Sequence, residues 1–146
     1  MSKTPATKKT AARVTAVTPA DWNHQVVSTE GGAGGYRKKP CATCPWRVDA
    51  CGEFPAEAFR ISAHTAYDMS NRTFGCHESG SKKPTTCAGF LLRGAAHNLS
   101  VRLGYVHGRY KDDVSDGGVE LYENYRAMAV DNGVDDTDPV LAKCRD

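Results

Sequence analysis

The strongest constraint on how this chain folds is a pair of cysteines, Cys41 and Cys44, separated by two residues. This spacing places two sulfur atoms at one tight turn and supplies half of a tetrahedral metal site. Two later cysteines, Cys76 and Cys87, can complete it. Four thiolates satisfy a Zn²⁺ ion, and the same four can hold a [4Fe–4S] cluster. The sequence therefore predicts a metal centre at these four cysteines, with zinc as the first choice and the cluster as the alternative.

His77 and the two remaining cysteines have different predicted roles. His77 either replaces Cys76 as a ligand or donates a hydrogen bond to a ligand sulfur. Cys51 and Cys144 are interpreted as thiols outside the site, with Cys51 as an alternative ligand in place of Cys76. A site closed by four cysteines leaves no open coordination position, and the sequence carries no zinc-protease motif and no P-loop. We therefore expect a protein that is not an enzyme.

The chain carries none of the sequence signals of a membrane or secreted protein. No apolar run is long enough to cross a bilayer, and the N-terminus has lysines without the apolar core of a secretion signal. We expect a cytoplasmic protein, in the host cytoplasm if it is phage-encoded. Cysteines in that compartment are typically metal ligands or thiols rather than disulfides.

The net charge of +2 is unevenly distributed. Residues 1–40 hold seven Lys/Arg against two Asp/Glu, whereas residues 112–146 hold three against ten. A basic surface can bind phosphates or an acidic protein face, although no nucleic-acid-binding motif accompanies it here. The equally open alternative is a solvated surface with internal charge balance. The candidate phosphate- or partner-binding residues are Arg47, Arg60, Arg72, Lys82, Lys83, Arg93 and Arg102.

The predicted fold is mainly α: a small, metal-stabilised domain with few short strands and long loops, preceded by a flexible arm. The arm covers residues 1–36 and is basic; the four-cysteine domain covers residues 37–146. Apolar spacing predicts a helix from Pro55 to about Tyr67, with Pro55 at the first helical position. It predicts a second helix from Thr85 or Thr86 to Gly104, with Cys87 in its first turn. A third helix begins near residue 121 and ends at Asn132-Gly133.

Three runs around the cysteines stand out: Cys41-x-x-Cys44-Pro45-Trp46-Arg47, Phe74-x-Cys76-His77 and Cys87-Ala88-Gly89-Phe90-Leu91. In these runs the chain resembles a small cysteine-rich family of unknown function that occurs in actinobacteria and tailed bacteriophages. The resemblance extends over about residues 37–145. It implies that the four cysteines and the histidine recur in the family, and it suggests a phage origin, but it brings no activity with it.

The function expected from these observations is a non-enzymatic structural-zinc protein, phage-encoded, that binds nucleic acid or host or phage transcription machinery as a regulator. It has no membrane partner. The first alternative is an iron–sulfur regulator that senses redox state or oxygen. The second is a virion component or an inhibitor of a host defence protein.

Overall fold

The computed structural model describes residues 13–21, 24–30, 35–76 and 85–144, in which two strands are followed by helices, a third strand and further helices. The strands are β1 (Arg13–Pro19), β2 (Gln25–Glu30) and β3 (Arg72–Phe74). The α-helices are α1 (Ala56–Ser62), α2 (Leu99–Val106) and α3 (Tyr125–Asp131). A π-helix covers Phe90–Gly94, and short 3-10 helices cover Val48–Ala50, Ala63–Ala66 and Pro139–Leu141.

The three strands form one antiparallel sheet in the order β1-β2-β3. Asp21 helps to close the turn between β1 and β2, because its carboxylate accepts a hydrogen bond from the backbone N–H of His24 at 2.7 Å. β3 pairs with the second half of β2, from Ser28 to Glu30. The hairpin formed by β1 and β2 therefore pairs with the segment that leads directly to Cys76.

The prediction of a mainly α fold with a flexible N-terminal arm is wrong. The described part of the chain is a mixed α/β structure, and β1 and β2 lie inside the segment predicted to be the arm. Valine and threonine are frequent in both strands, and such β-branched residues favour extended backbone. The Ser-, Thr- and Lys-rich composition around them concealed this signal. The domain boundary at residue 36 stays a prediction.

The first and third predicted helices are present, whereas the second differs from its prediction. α1 continues into the 3-10 helix Ala63–Ala66, as expected in extent, but Pro55 occupies the N-cap with extended backbone rather than the first helical position. α3 ends at Asp131 with Asn132 as its C-cap, followed by Gly133 with φ +106°, which confirms the predicted C-cap. It begins at Tyr125 rather than near residue 121, because Leu121 forms a β-bridge with Arg47 instead.

The predicted second helix is broken into the π-helix Phe90–Gly94 and α2. Asn98 restarts the helix: its side-chain oxygen accepts from Val101 N–H at 3.0 Å, and its amide donates to the carbonyls of Thr65 and Arg72. A buried asparagine with three partners favours a break at this point over a continuous helix.

A core of large side chains surrounds Trp46, which is fully buried. Its ring packs edge-on against Phe74 and Tyr125, with centroids 5.9 and 5.8 Å away. Phe59, Phe90 and Met128 belong to the same cluster. The prediction that a metal stabilises the fold in place of a core is therefore wrong. Within residues 13–21, 24–30, 35–76 and 85–144, no group of three or more His, Cys, Asp or Glu is placed to hold a metal ion.

Among the described residues, no helix has the length and apolar character that crossing a membrane requires.

Candidate thiolate site

The two cysteines of the C-x2-C pair lie on a tight turn that is anchored by the core. Cys44 donates its backbone N–H to the carbonyl of Cys41 at 3.2 Å, and Arg47 donates to the carbonyl of Cys44 at 3.0 Å. Trp46, two residues after Cys44, enters the core, and its carbonyl accepts from Tyr122 N–H at 3.0 Å. The aromatic residue after the turn thus fixes the position of Cys44.

Cys76 and Cys87 come from two chain segments that run antiparallel beyond the end of β3. Cys76 N–H donates to the carbonyl of Thr85 at 2.7 Å, and Cys87 N–H donates to the carbonyl of Phe74 at 2.9 Å. Side chains alternate between the two faces of such a pair, so those of Cys76 and Cys87 project from the same face. Cys87 also accepts from Leu91 N–H, which places it just before the helix rather than within its first turn.

The turn and the strand pair meet through their sulfur atoms. Cys44 Sγ lies 3.6 Å from Cys87 Sγ, and Cys41 forms a side-chain hydrogen bond with Cys44. Two sulfurs bound to one tetrahedral zinc ion at about 2.3 Å are about 3.8 Å apart. The Cys44–Cys87 separation is therefore close to that of two ligands. All six cysteines lie in the described ranges, and none of them forms a disulfide there.

The protonation of Cys44 depends on its sulfur neighbours. The hydrogen bond from Cys41 lowers the pKa of the Cys44 thiol, but the Cys87 sulfur and burial raise it, and the net direction is upward. Two adjacent buried thiolates repel one another and are poorly solvated. A bound metal ion deprotonates its thiol ligands, so a cation beside Cys44 would favour its thiolate.

Two arginines border the cysteines. Arg37 Nε donates to Cys76 Sγ at 3.3 Å, and Arg47 Nη1 donates to the carbonyl of Cys41 at 3.4 Å. Arg37 was not among the residues selected from the sequence. It lies beside Cys76 because an isolated β-bridge joins Tyr36 to Thr86, and the sequence carried no signal of that pairing.

The predicted basic face divides into separate groups. Arg47 pairs with Asp49 at 2.7 Å, and Arg60 pairs with Glu57 and Asp138 at 2.9 and 2.8 Å, so both charges are compensated locally.

Arg93 and Arg102 are exposed. Arg72 lines an open pocket of about 370 Å³ together with His64, Tyr67, Asp68 and Ser70. Lys82, Lys83 and His77 lie outside the described residues.

The two cysteines interpreted as lying outside the site have other neighbours. Cys51 is exposed, and its Sγ donates to the carbonyl of Asp131 at 3.3 Å. Cys144 is buried, with its Sγ 3.8 Å from the carbonyl of Ala63. These contacts place them beside α3 and the 3-10 helix Ala63–Ala66, respectively.

Comparison with protein-family models matches residues 36–145 to a family of unknown function (DUF6283). This confirms the resemblance to an uncharacterised family; the occurrence in phages and actinobacteria stays a prediction. No curated protein and no solved structure matches the chain.

Proposed function

The chain belongs to this family of unknown function (DUF6283), and we propose that it is a non-enzymatic zinc-binding protein. The ligands are Cys41, Cys44, Cys76 and Cys87. The proposal rests above all on the 3.6 Å contact between Cys44 Sγ and Cys87 Sγ, which are 43 positions apart in sequence. Sulfur atoms of buried cysteines at ligand separation, beside a C-x2-C turn, are typical of thiolate zinc sites.

The chemistry of the donor set fits zinc, because four cysteine sulfurs can form a closed tetrahedral site. In the described part of the chain, no three of these side chains are yet placed together to hold an ion. Cys41 and Cys76 would therefore have to move toward Cys44 and Cys87 when zinc binds. Arg37, which donates to Cys76, is suited to hold that sulfur in position from outside the ligand shell.

A separate surface on α2 supports a binding role. With about 100° between successive helical residues, Arg102, Leu103, Tyr105 and Val106 share one face, opposite the buried Ser100, Val101 and Gly104. Val106 is 77% exposed, and Leu103 and Tyr105 are each 43% exposed. Arg102 forms no ion pair with any residue in the described part of the chain. Arginine and tyrosine beside exposed apolar side chains are common in interaction surfaces.

We assign this α2 surface to a partner in the cytoplasm, either nucleic acid or the transcription machinery of a host or phage. The regulatory role and the phage origin are parts of the same proposal, and they are supported by the charge distribution and the cysteine motifs.

The zinc proposal is tested with Co²⁺, which gives visible absorption when four thiolates surround it. The wild-type chain should bind about one Co²⁺ and release it when Zn²⁺ is added. Cys44→Ser and Cys87→Ser should each lose most of this absorption, whereas Cys51→Ser should keep it. Circular dichroism of each variant separates lost binding from lost folding. Full Co²⁺ binding by folded Cys44→Ser and Cys87→Ser proteins would remove the basis of the proposal.

A further inference from the structure

Cys44 and Cys87 are also close enough to react with each other. Their sulfurs are 3.6 Å apart, and a disulfide needs about 2.05 Å, so bond formation requires an approach of about 1.5 Å. Rotation about the two Cα–Cβ bonds would have to supply this movement. The pair is held by independent anchors, Trp46 in the core behind Cys44 and the Phe74 carbonyl on Cys87 N–H.

The burial of Cys44 and Cys87 limits which reagents can reach their sulfur atoms. Cys44 is 0% exposed and Cys87 is 3% exposed, so a bulky disulfide or alkylating reagent is excluded. Cys41 is half-buried, and Ala42 and Thr43 at the tip of the turn are exposed. This exposed turn next to Cys44 is the expected entry point for a small oxidant such as hydrogen peroxide.

We propose that Cys44 and Cys87 form a redox site that is oxidised by small peroxides to an intramolecular disulfide. One thiol sulfur gives up its proton and attacks a peroxide oxygen, the O–O bond breaks, and the departing hydroxide takes up that proton to form water, which leaves a sulfenic acid. The second thiol then displaces the sulfenic oxygen as water and forms the S–S bond. In sum, two thiols and one hydrogen peroxide give one disulfide and two waters, and the sulfurs supply both electrons.

The Cys44–Cys87 bond competes with a bond within the C-x2-C turn, because Cys44 contacts both Cys41 and Cys87. The Cys44–Cys87 bond would link two segments that are 43 positions apart and would stabilise the fold more than a bond across a short loop. A Cys41–Cys44 bond would close only the turn itself.

Oxidation removes two of the four proposed zinc ligands, so the ion should leave. This consequence rests on the proposed function, whereas the disulfide does not. The remaining ligands, Cys41 and Cys76, are too few to hold zinc tightly. The site therefore couples peroxide to zinc release, and reduction should restore binding.

The test uses the full-length, zinc-loaded chain as the Cys51→Ser/Cys144→Ser double variant, which removes the two thiols outside the site. Zinc content is measured first, and hydrogen peroxide is then added. Intact mass should fall by two hydrogens per chain, and peptide mapping after alkylation should find Cys44 linked to Cys87. Zinc should be released in parallel, and dithiothreitol should reverse both changes. Adding Cys87→Ser to the same background is expected to abolish this product.

The outcomes separate the two proposals. A chain that forms the Cys44–Cys87 bond but never held zinc contradicts the proposed function and leaves the redox site intact. A zinc-bound chain that forms only a Cys41–Cys44 bond, is oxidised at all thiols without order, or resists peroxide overturns the redox inference and leaves zinc binding intact.

Discussion

At the scale of single residues, Tyr125 connects the core to α1. It is almost fully buried, its hydroxyl donates to the carbonyl of Phe59, and Ser62 Oγ lies 2.7 Å from it. Burial raises the pKa of the Tyr125 phenol well above its ordinary value. The protein must therefore keep this group neutral to remain folded.

The pH dependence of stability follows from that direction. Because the folded-state pKa lies above the unfolded value of about 10, the stabilisation is complete below pH 10 and is lost as the pH rises further. We expect Tyr125→Phe to lower the free energy of unfolding by about 1–3 kcal/mol at pH 7 through the lost hydrogen bonds. Above pH 10, the free energy of unfolding of Tyr125→Phe should also fall less steeply than that of the wild type. Urea unfolding at pH 7 to 11 measures both effects.

Tyr105→Phe is the matched control because Tyr105 is 43% exposed. It should change the free energy of unfolding by less than about 0.5 kcal/mol at pH 7. If the free energy of unfolding falls as steeply above pH 10 in Tyr125→Phe as in the wild type, groups other than Tyr125 cause the loss.

Sequence reasoning located sulfur contacts better than charge contacts. The cysteine spacing selected Cys44 and Cys87, whose sulfurs meet, because a C-x2-C turn has limited geometry. It assigned Arg47 and Arg60 to a binding face, yet both form ion pairs, and it missed Arg37 beside Cys76. An arginine side chain is long, and its partner depends on strand register and loop path that single-sequence patterns do not contain.

At the scale of secondary-structure elements, two glycines allow the segment after Cys87 to pack on Trp46. A Cβ atom at Gly89 would lie 2.4 Å from Trp46 Cβ, and one at Gly94 would lie 2.4 Å from Trp46 Cη2. Both distances are far inside van der Waals contact. The π-helix Phe90–Gly94 can therefore lie against the indole only because both positions lack a side chain.

Gly89→Ala and Gly94→Ala should each destabilise the protein by about 1–3 kcal/mol, since the buried Trp46 ring has no room to move. Gly75→Ala serves as the control, because its nearest atom would be 3.8 Å away, an ordinary contact. Urea unfolding of the three variants gives the comparison. Equal stability of Gly94→Ala and Gly75→Ala would mean that the contact with Trp46 is not tight.

The elements themselves were partly predictable. Apolar spacing and caps identified α1 and α3, where local signals agree with packing. The break before α2 depends on Asn98, whose amide binds carbonyls of distant segments, and on the approach of Trp46 to Gly94. The β1–β2 hairpin was missed because the Ser-, Thr- and Lys-rich composition around its strands concealed their β-branched residues.

At the scale of the whole molecule, the core is complete without an added ion. Trp46, Phe59, Phe90, Tyr125 and Met128 are buried together, and the thiolate site lies at one edge of this cluster through Cys44 and Cys87. We therefore expect the chain to fold without zinc and to gain stability when zinc binds the folded state.

The metal-free protein should unfold in a cooperative thermal transition and keep its circular dichroism spectrum after treatment with a chelator. Free zinc at about one hundred times its dissociation constant should add about 2.7 kcal/mol to the free energy of unfolding and raise the Tm. Scanning calorimetry with and without zinc measures the difference. A metal-free chain without a cooperative transition would mean that the core is insufficient alone.

The most direct test of the thiolate site is elemental analysis of protein purified without oxygen, with an absorption spectrum of the same sample. The proposed function predicts about one zinc per chain and no visible colour. About four irons with sulfide and a brown colour would instead identify a cluster protein at the same cysteines. The absence of both metals would contradict the assignment of Cys41, Cys44, Cys76 and Cys87 as ligands.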